Sequence, residues 1–483
     1  MKTGTDDLLD YILARLREGP RLAQDHIQRN GNKFKHRSAF FKLKKHVNNF
    51  LEGSYEKRLL IMPGLRGVGK TTLLFQIYDY LVNEKGVNQD RVLYVSADHL
   101  GEYLGGRIID AVDVFISEVH QKTPVTLDEE LFILIDEAQY DKKWSSAGKI
   151  FYDQSKKIFM IFTGSSALSL ELNVDAVRRS EKESIFPLNF SEYLLLNHGV
   201  HAPKGTSASI RNLIFSGDVK DAPEIENQLM RNMLRLSRPL EKEWENYLYS
   251  GGFPFQIGLT RHDIHGRTFD MLDRVVEKDV SLIRSFRSDS RSSIFRILMH
   301  LAIQKAGKTS EGKLAKDIGI SSALVKDILS ILEKTHLIFH IKPFSGSGRT
   351  QVRKAWKYYF LSPSIKTSIN FELGKYNSKK REFLGELAEN MVASYFFRLK
   401  KTMNKPHGIF YAPEKEGVDF LLSDITGKII PVEVGIGNKD KRQIKKAINK
   451  YNSQYGIMVS NATQKITREG DVIHIPITTF SFV

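Results

Sequence analysis

A short glycine-rich segment carries the clearest chemistry in the sequence, and it reads Gly64-Leu-Arg-Gly-Val-Gly-Lys70-Thr71. Glycines in such a loop let backbone amides turn inward around phosphate oxygens, because no Cβ atoms crowd the turn. The lysine that follows reaches the β- and γ-phosphates, and the next hydroxyl binds Mg²⁺. The alternative is a strained strand-to-helix turn that merely needs glycine. The predicted nucleotide-binding residues are Gly64, Gly67, Val68, Gly69, Lys70, Thr71 and Thr72.

A second motif, Phe132-Ile-Leu-Ile-Asp136-Glu137, is an apolar run that ends in two carboxylates. Together with Thr71, Asp136 is predicted to hold the Mg²⁺ ion, and Glu137 to polarise the water that attacks the γ-phosphate. An ordinary solvated strand end is the alternative. P-loop kinases and switch GTPases usually lack this glutamate, and the sequence has no Asn-Lys-x-Asp stretch to read guanine. The pair of motifs therefore predicts an ATPase with ATP and Mg²⁺ as cofactors, in which Lys70 and Glu137 are catalytic.

A third run, Phe159-Met-Ile-Phe-Thr163-Gly-Ser165, is a buried strand that ends in hydroxyl residues. In ATPases of this kind, a polar residue at that point contacts the γ-phosphate or the attacking water. Thr163 and Ser165 are the candidates for that catalytic role. A plain turn with serine caps is the other interpretation.

The elements that must position these motifs alternate between apolar strands and helices. Strands are predicted at 58–62, 91–96, 131–135 and 158–162, and helices at 71–82 and 108–119. Strands that are apolar on both faces and alternate with helices indicate a parallel sheet covered on both sides. The predicted fold class is therefore α/β, with a P-loop ATPase core of the additional-strand (AAA/STAND-like) class.

With these motifs in hand, the chain resembles the prokaryotic AAA-superfamily ATPases that carry the domain of unknown function 4143, from about Arg58 to Ile448. Further markers, in order, are Phe186-Pro-Leu-Asn-Phe190-Ser-Glu192-Tyr193, Gly251-Gly-Phe-Pro254, Glu277-Lys-Asp279 and Gly385-Glu-Leu-Ala-Glu389-Asn390. The resemblance implies a winged helix-turn-helix and a nuclease-like α+β domain after the ATPase core. It also implies an arginine after a glycine near 179. Here the stretch is Val177-Arg178-Arg179-Ser180, without the glycine. Arg179 is either a catalytic arginine, acting in its own or a neighbouring subunit, or an ordinary surface residue.

The middle of the chain is strongly basic, with 14 basic and 4 acidic residues from Ser290 to Asn370. Helical patterns at 293–306, 309–318 and 322–334, followed by strand patterns at 337–344 and 357–361, predict a winged helix-turn-helix. Duplex DNA is the favoured partner, and protein contact or bracing of the ATPase core is the alternative. The predicted DNA contacts are Ser321, Ser322, Lys326, Arg349, Arg353 and Lys354.

The carboxy-terminal segment carries acidic residues in the order of a PD-(D/E)XK nuclease-like fold. The candidate remnant of that site is Glu386, Glu389, Asp419 and Glu433. In an active nuclease these acids hold Mg²⁺, and a lysine two residues after the last glutamate positions the attacking water. That position is Gly435 here. A retained fold without nuclease activity is the favoured interpretation, and Lys439 or Lys441 as a substitute for the missing lysine is the alternative.

Composition sets the wider frame. The 483 residues carry a formal charge of +16 and no cysteine, which suits a polyanionic partner and a reducing compartment. We expect a cytoplasmic protein without a membrane span, and a homo-oligomer and a protein partner both stay open.

The predicted domain divisions are an N-terminal helical segment (1–53), the ATPase core (54–200), a helical lid or linker (201–289), the winged helix (290–372) and the nuclease-like domain (373–483). The competing functions are an ATP-driven switch or motor acting on DNA, an ATP-regulated metal-dependent nuclease, and an ATPase that contacts only proteins.

Overall fold

The computed structural model describes residues 4–164, 178–280, 288–304, 308–345, 355–377, 380–403, 407–424, 426–437 and 440–483. The chain divides into two compact units, Met1–Phe186 and Pro187–Val483. Within the described residues, no helix is both long and apolar enough to cross a membrane.

The first unit is built on a parallel sheet. The strands of this unit are β1 (Gln28–Arg29), β2 (Asn32–Lys33), β3 (Leu59–Pro63), β4 (Val92–Ser96), β5 (Leu131–Asp136), β6 (Ile158–Gly164) and β7 (Glu181–Lys182). The described sheet has the order β4-β5-β6-β3-β7, and β1 and β2 form a separate hairpin. Strand β6 therefore lies between the strand that precedes the glycine-rich loop and the strand that ends in the two carboxylates. This is the additional-strand arrangement, and the predicted α/β fold class of the core is confirmed.

Helices cover both faces of this sheet. They are α1 (Thr5–Ile27), α2 (Ser38–Leu51), α3 (Lys70–Asp79), α4 (Ala97–Leu104), α5 (Ile108–Val114) and α6 (Trp144–Gln154). In α1 the apolar residues Leu8, Ile12 and Leu16 recur every four positions, so one face of the helix is buried. That face shares a hydrophobic core with Leu93 and Val95 of β4. The N-terminal helices therefore belong to the compact ATPase unit.

The second unit begins with helices and continues with a mixture of helices and strands. The helices are α7 (Phe190–His198), α8 (Thr206–Ser216), α9 (Ala222–Met233), α10 (Leu240–Ser250), α11 (Arg261–Arg274), α12 (Ser288–Ile303), α13 (Glu311–Ile318), α14 (Ser322–Lys334), α15 (Pro363–Glu372), α16 (Arg381–Thr402), α17 (Arg442–Lys450) and α18 (Ile477–Phe480). A capping box, in which Asn189 and Glu192 bond each other's backbone amides, begins α7.

One wide mixed sheet runs through the second unit. Its strands are β8 (Lys308–Thr309), β9 (Ile338–Pro343), β10 (Trp356–Phe360), β11 (Gly408–Tyr411), β12 (Phe420–Ser423), β13 (Ile429–Gly435), β14 (Gly456–Ser460), β15 (Thr467–Glu469) and β16 (Val472–Pro476). The described strands have the order β15-β16-β14-β13-β12-β11-β9-β10-β8. Strands β9 and β11 pair in parallel through Phe410 and Lys342. The strands that follow the basic helices and those of the nuclease-like segment therefore share one sheet.

The basic helices α13 and α14 are joined by a tight turn. Gly319 has φ 75°, the left-handed conformation that glycine adopts without strain. Ser321 accepts a hydrogen bond from the Leu324 amide at 3.2 Å and so caps α14. Val325 and Ile328 are buried, which turns the opposite side of the helix to solvent. The helix-turn-helix elements lie where the sequence pattern placed them, while the assignment of the region as a DNA-binding winged helix stays a prediction.

Candidate functional site

The glycine-rich loop spans residues 64–69, between β3 and α3. Gly67 and Gly69 have φ angles of 82° and 91°, which residues with a Cβ rarely adopt. A Cβ on Gly64 would collide with the carbonyl oxygen of Ile185. Positions 64 and 69 therefore require glycine for different reasons, the first because of close packing and the second because of its backbone conformation. The loop leads into the first turn of α3, whose positive end favours an anion.

Lys70 lies over this loop. Its Nζ donates hydrogen bonds to the carbonyl oxygens of Gly64, at 3.0 Å, and of Leu65, at 3.2 Å. Val68 is fully buried and fixes the inner side of the turn, while Thr72 is half-buried in the first turn of α3. The structure thus holds the ammonium group over the loop, as an anion-binding site would require.

Asp136 is the centre of a hydroxyl network at the carboxyl end of β5. The Thr71 hydroxyl donates to its Oδ2 at 2.6 Å, and the Tyr94 hydroxyl contacts the same oxygen at 3.4 Å. The Thr163 hydroxyl donates a short hydrogen bond to Oδ1. Burial raises the pKa of Asp136, and the charge of Glu137 raises it further. A carboxylate and a hydroxyl this close are hard oxygen ligands of the type that Mg²⁺ prefers, so the residues present fit that ion.

Glu137 follows in the left-handed conformation, with φ 51°, which is rare for a residue with a Cβ. Its amide contacts the Thr163 hydroxyl oxygen at 3.3 Å, and Gln139 donates a short hydrogen bond to its Oε2. The structure therefore brings Thr71, Asp136 and Thr163 together with Glu137, as the motifs predict. Strain of this kind persists only where neighbours hold it, and it clusters at functional sites.

Three residues at this site were not predicted from the sequence. Gln139 and Tyr94 contact the acidic pair through the fold, and Arg37 supports the loop from α2's amino end. The Arg37 guanidinium is 5% exposed and donates to the Val68 carbonyl at 2.6 Å and to the Phe186 carbonyl at 2.9 Å. In the sequence Arg37 is one of several cations between Lys33 and Lys45, a run typical of a solvated surface. Gln139 lies two residues after Glu137, and that position beside the acidic pair is its one sequence signal.

Arg179 lies at the opposite end of the sheet. It precedes β7, in which Glu181 pairs with Leu60, whereas the loop follows the other end of β3. Its Nε forms an ion pair with Asp153 at 2.8 Å. Within its own chain Arg179 is therefore remote from Lys70, and a catalytic role for it requires delivery to another subunit. The second sensor candidate, Ser165, lies outside the described residues.

The structure describes three of the six predicted DNA contacts. Ser321, Ser322 and Lys326 are exposed at the start of α14. The predicted contacts on the wing, Arg349, Arg353 and Lys354, lie outside the described residues.

The carboxylates of the nuclease-like segment are engaged with lysines and amides. Glu389 bonds Lys357 Nζ at 3.1 Å, and Glu386 bonds Lys366 Nζ at 2.7 Å. Val434 donates its amide to Asp419 at 2.9 Å, and the Asp419 amide contacts Glu433 at 3.3 Å. No group of three or more His, Asp or Glu side chains within the described ranges is arranged to hold a metal ion.

Comparison with known proteins agrees with this organisation. An AAA domain family model matches residues 56–194, which contain the glycine-rich loop, the acidic pair and Thr163. Models for two domains of unknown function, DUF8612 and DUF4143, match residues 241–374 and 384–480. Among solved structures, the Walker-type ATPase PABY2304 of Pyrococcus abyssi is 16% identical, with a TM-score of 0.40 over 72% of this chain and 99% of that chain.

Two relatives come from Methanocaldococcus jannaschii. The uncharacterized protein MJ1544 is 22% identical over 403 residues, which are 81% of this chain and 78% of that protein. The uncharacterized protein MJ1637 is 31% identical over 469 residues, which are 97% of this chain and 93% of that protein. This chain is therefore in the same family as MJ1637. With its P-loop and acidic pair assembled at one edge of an additional-strand sheet, it belongs to the AAA-domain P-loop ATPases that carry DUF4143.

Proposed function

We propose that this chain binds ATP with Mg²⁺ and hydrolyses it, and that the nucleotide state controls how the second unit engages duplex DNA. The observation that carries the first part is the hydrogen-bond network of Thr71, Asp136 and Thr163, with Glu137 directly beside it. A P-loop followed by such a network is the arrangement that phosphoryl transfer to water requires.

Each residue has a separate task in hydrolysis. Thr71 and Asp136 supply the oxygens that would hold Mg²⁺, and the ion would offset the negative charge of the phosphates. Lys70 offsets further phosphate charge from the loop side. Glu137 accepts a proton from the attacking water, and its hydrogen bond from Gln139 fixes the direction of the carboxylate.

Two variants separate binding from chemistry. Lys70→Ala removes the ammonium group and should weaken ATP binding, measured by equilibrium titration with a fluorescent ATP analogue. Glu137→Gln keeps the shape of the side chain but removes the base, so it should bind ATP as the wild type does and release phosphate far more slowly. Wild-type phosphate release in Glu137→Gln would refute the assignment of the base.

The DNA role rests on the charge of the basic region and on the exposed start of α14. Lys326 is exposed there and Lys334 is exposed at the other end of the same helix. In helix-turn-helix proteins the amino-terminal residues of such a helix contact base edges, whereas a position at the far end lies away from the bases. We therefore expect the two lysines to differ in their effect on DNA binding.

The experiment compares Lys326→Glu with Lys334→Glu, in the Glu137→Gln background, by fluorescence anisotropy with duplex DNA. Lys326→Glu should weaken binding by roughly tenfold and flatten its salt dependence, and Lys334→Glu should have a much smaller effect. ATP and ADP should give different affinities. Equal, weak binding by all proteins, independent of salt, would instead support the ATPase that contacts only proteins.

A further inference from the structure

A lysine from outside the nuclease-like segment contacts one of its carboxylates, in a place that the sequence gives no reason to expect. Lys357 lies on β10, far along the chain from the acidic residues, and its side chain is 11% exposed. Its Nζ donates to Glu389 at 3.1 Å and lies 5.7 Å from the centre of the Tyr411 ring. A buried ammonium group is costly unless opposite charge surrounds it.

That opposite charge comes from the carboxylates that resemble metal ligands. Glu389 lies on α16, Asp419 immediately precedes β12, and Glu433 lies within β13. Burial alone would lower the pKa of Lys357, but the charges of Glu389, Asp419 and Glu433 outweigh it and hold the pKa above its ordinary value. Glu389 is the carboxylate in direct contact with Lys357, and Asp419 and Glu433 add negative charge around it.

Glu389 accepts a second hydrogen bond. The Tyr359 hydroxyl donates to the same Glu389 oxygen at 2.7 Å. Burial raises the pKa of Glu389, against the opposing charge of Lys357. One turn earlier on α16, Glu386 forms an ion pair with Lys366 at 2.7 Å, and the Lys366 side chain is 5% exposed. Both helical acids thus pair with lysines from one segment, residues 355–372.

We propose that Lys357 is a built-in cation that takes the place of a metal ion among Glu389, Asp419 and Glu433, so that these carboxylates fasten the segment 355–372 to α16 and β13 instead of supporting nuclease chemistry. The residues do not fit Mg²⁺ in the way an active site of this fold requires. Such a site needs carboxylates open to the ion and to the scissile phosphate. Here Glu389 is bonded to Lys357, Asp419 accepts the Val434 amide, and Glu433 is buried.

The test uses the full chain and follows its melting temperature without nucleotide. Lys357→Met keeps the length of the side chain and removes its charge, which leaves the carboxylates without a cation. The melting temperature should fall by about 10 °C. Replacing one of the carboxylates by its amide should then restore stability. The positions at which this replacement raises the melting temperature are those whose charge Lys357 neutralises.

We expect Lys357→Met combined with Glu389→Gln to regain most of the lost melting temperature, and Lys357→Met with Glu433→Gln to regain part of it. The matched control is Lys357→Met with Glu386→Gln, which should regain nothing, because Glu386 pairs with Lys366. If Glu433→Gln gives no recovery, Lys357 is only the partner of Glu389 and the proposal is wrong. If Lys357→Met does not fold, the double variant with Glu389→Gln decides, since the proposal requires it to fold.

A metal titration tests the same idea on the wild-type protein. Electron paramagnetic resonance of Mn²⁺ should show no tight binding in the absence of nucleotide, and plasmid DNA should stay intact when Mn²⁺ is added. Tight Mn²⁺ binding or DNA cleavage that Glu433→Gln abolishes would overturn the proposal.

Discussion

Replacement of Arg37 by methionine should weaken ATP binding, although Arg37 itself makes no predicted contact with the nucleotide. The guanidinium holds the carbonyl of Val68 inside the glycine-rich loop and ties it to the carbonyl of Phe186. A hydrogen bond from a charged donor contributes about 1.5–3 kcal/mol. If about 2 kcal/mol of loop order is lost, ATP affinity falls roughly thirtyfold.

The matched control is Arg58→Met. Arg58 is also a buried arginine of the first unit and donates to backbone carbonyls, at 3.3 Å for that of Ser155. It immediately precedes β3, whereas the glycine-rich loop follows the other end of that strand. Both variants should lower the melting temperature, but only Arg37→Met should change ATP affinity. This comparison separates support of the loop from a general loss of stability.

The assay is equilibrium titration of a fluorescent ATP analogue with Mg²⁺, alongside thermal unfolding of each variant. Arg37→Lys provides a graded test, because lysine keeps the charge but cannot hold two carbonyls with one planar group. Its affinity should lie between those of the wild type and Arg37→Met. Wild-type affinity in Arg37→Met, or an equal loss in Arg58→Met, would refute the reasoning.

Other variants address the remaining parts of the molecule. Lys70→Ala should reduce ATP affinity by roughly a hundredfold, since a charge-assisted contact to phosphate is lost; titration would show it. Glu137→Gln should lower the rate of phosphate release by about 10²- to 10⁴-fold at unchanged ATP affinity. Thr163→Val removes a donor to the acidic pair and should slow hydrolysis by roughly tenfold or more, with a normal melting temperature as the check on folding. Burial lowers the pKa of His265 to about 4, with the charges of Arg261 and His262 acting in the same direction, so folding opposes its protonation. The contribution of His265 to the free energy of unfolding should therefore be fully present above pH 6.5 and be lost, by about 3 kcal/mol, as the pH falls towards 4. His265→Asn should flatten that part of the plot of unfolding free energy against pH.

The sequence predicts those parts of the site that are contiguous along the chain. Lys70, Asp136 and Glu137 stand in motifs whose chemistry requires their spacing, and the strands around them are buried on both faces. Arg37 and Tyr94 reach the site only because α2 and β4 are folded against it. Their partners are separated along the chain by 31 and 42 residues, and no periodicity encodes such pairings.

The same limit applies to the second unit. The pattern from Ser310 to Lys334 predicts two helices and their turn, because caps and apolar spacing are local signals. The pairing of β9 with β11, which joins these elements to the nuclease-like strands, is long-range and has no such signal. The sequence shows that position 435 holds glycine where an active nuclease has lysine. That Lys357 lies beside the carboxylate of Glu389 is visible only in the fold.

The strand order explains why one residue can contact both members of the acidic pair. Because β6 lies between β3 and β5, the residue at its carboxyl end lies between the glycine-rich loop and Asp136. Thr163 occupies that point and pairs with Met62 of the neighbouring strand β3. Its hydroxyl donates a hydrogen bond to Asp136 and accepts one from the amide of Glu137. A shift of β6 by one residue would bring Phe162 or Gly164 there, and neither has a hydroxyl. The register of β6 is therefore a condition for the proposed hydrolysis: a variant that preserves Thr163 but slips the strand should slow phosphate release at least as much as Thr163→Val does.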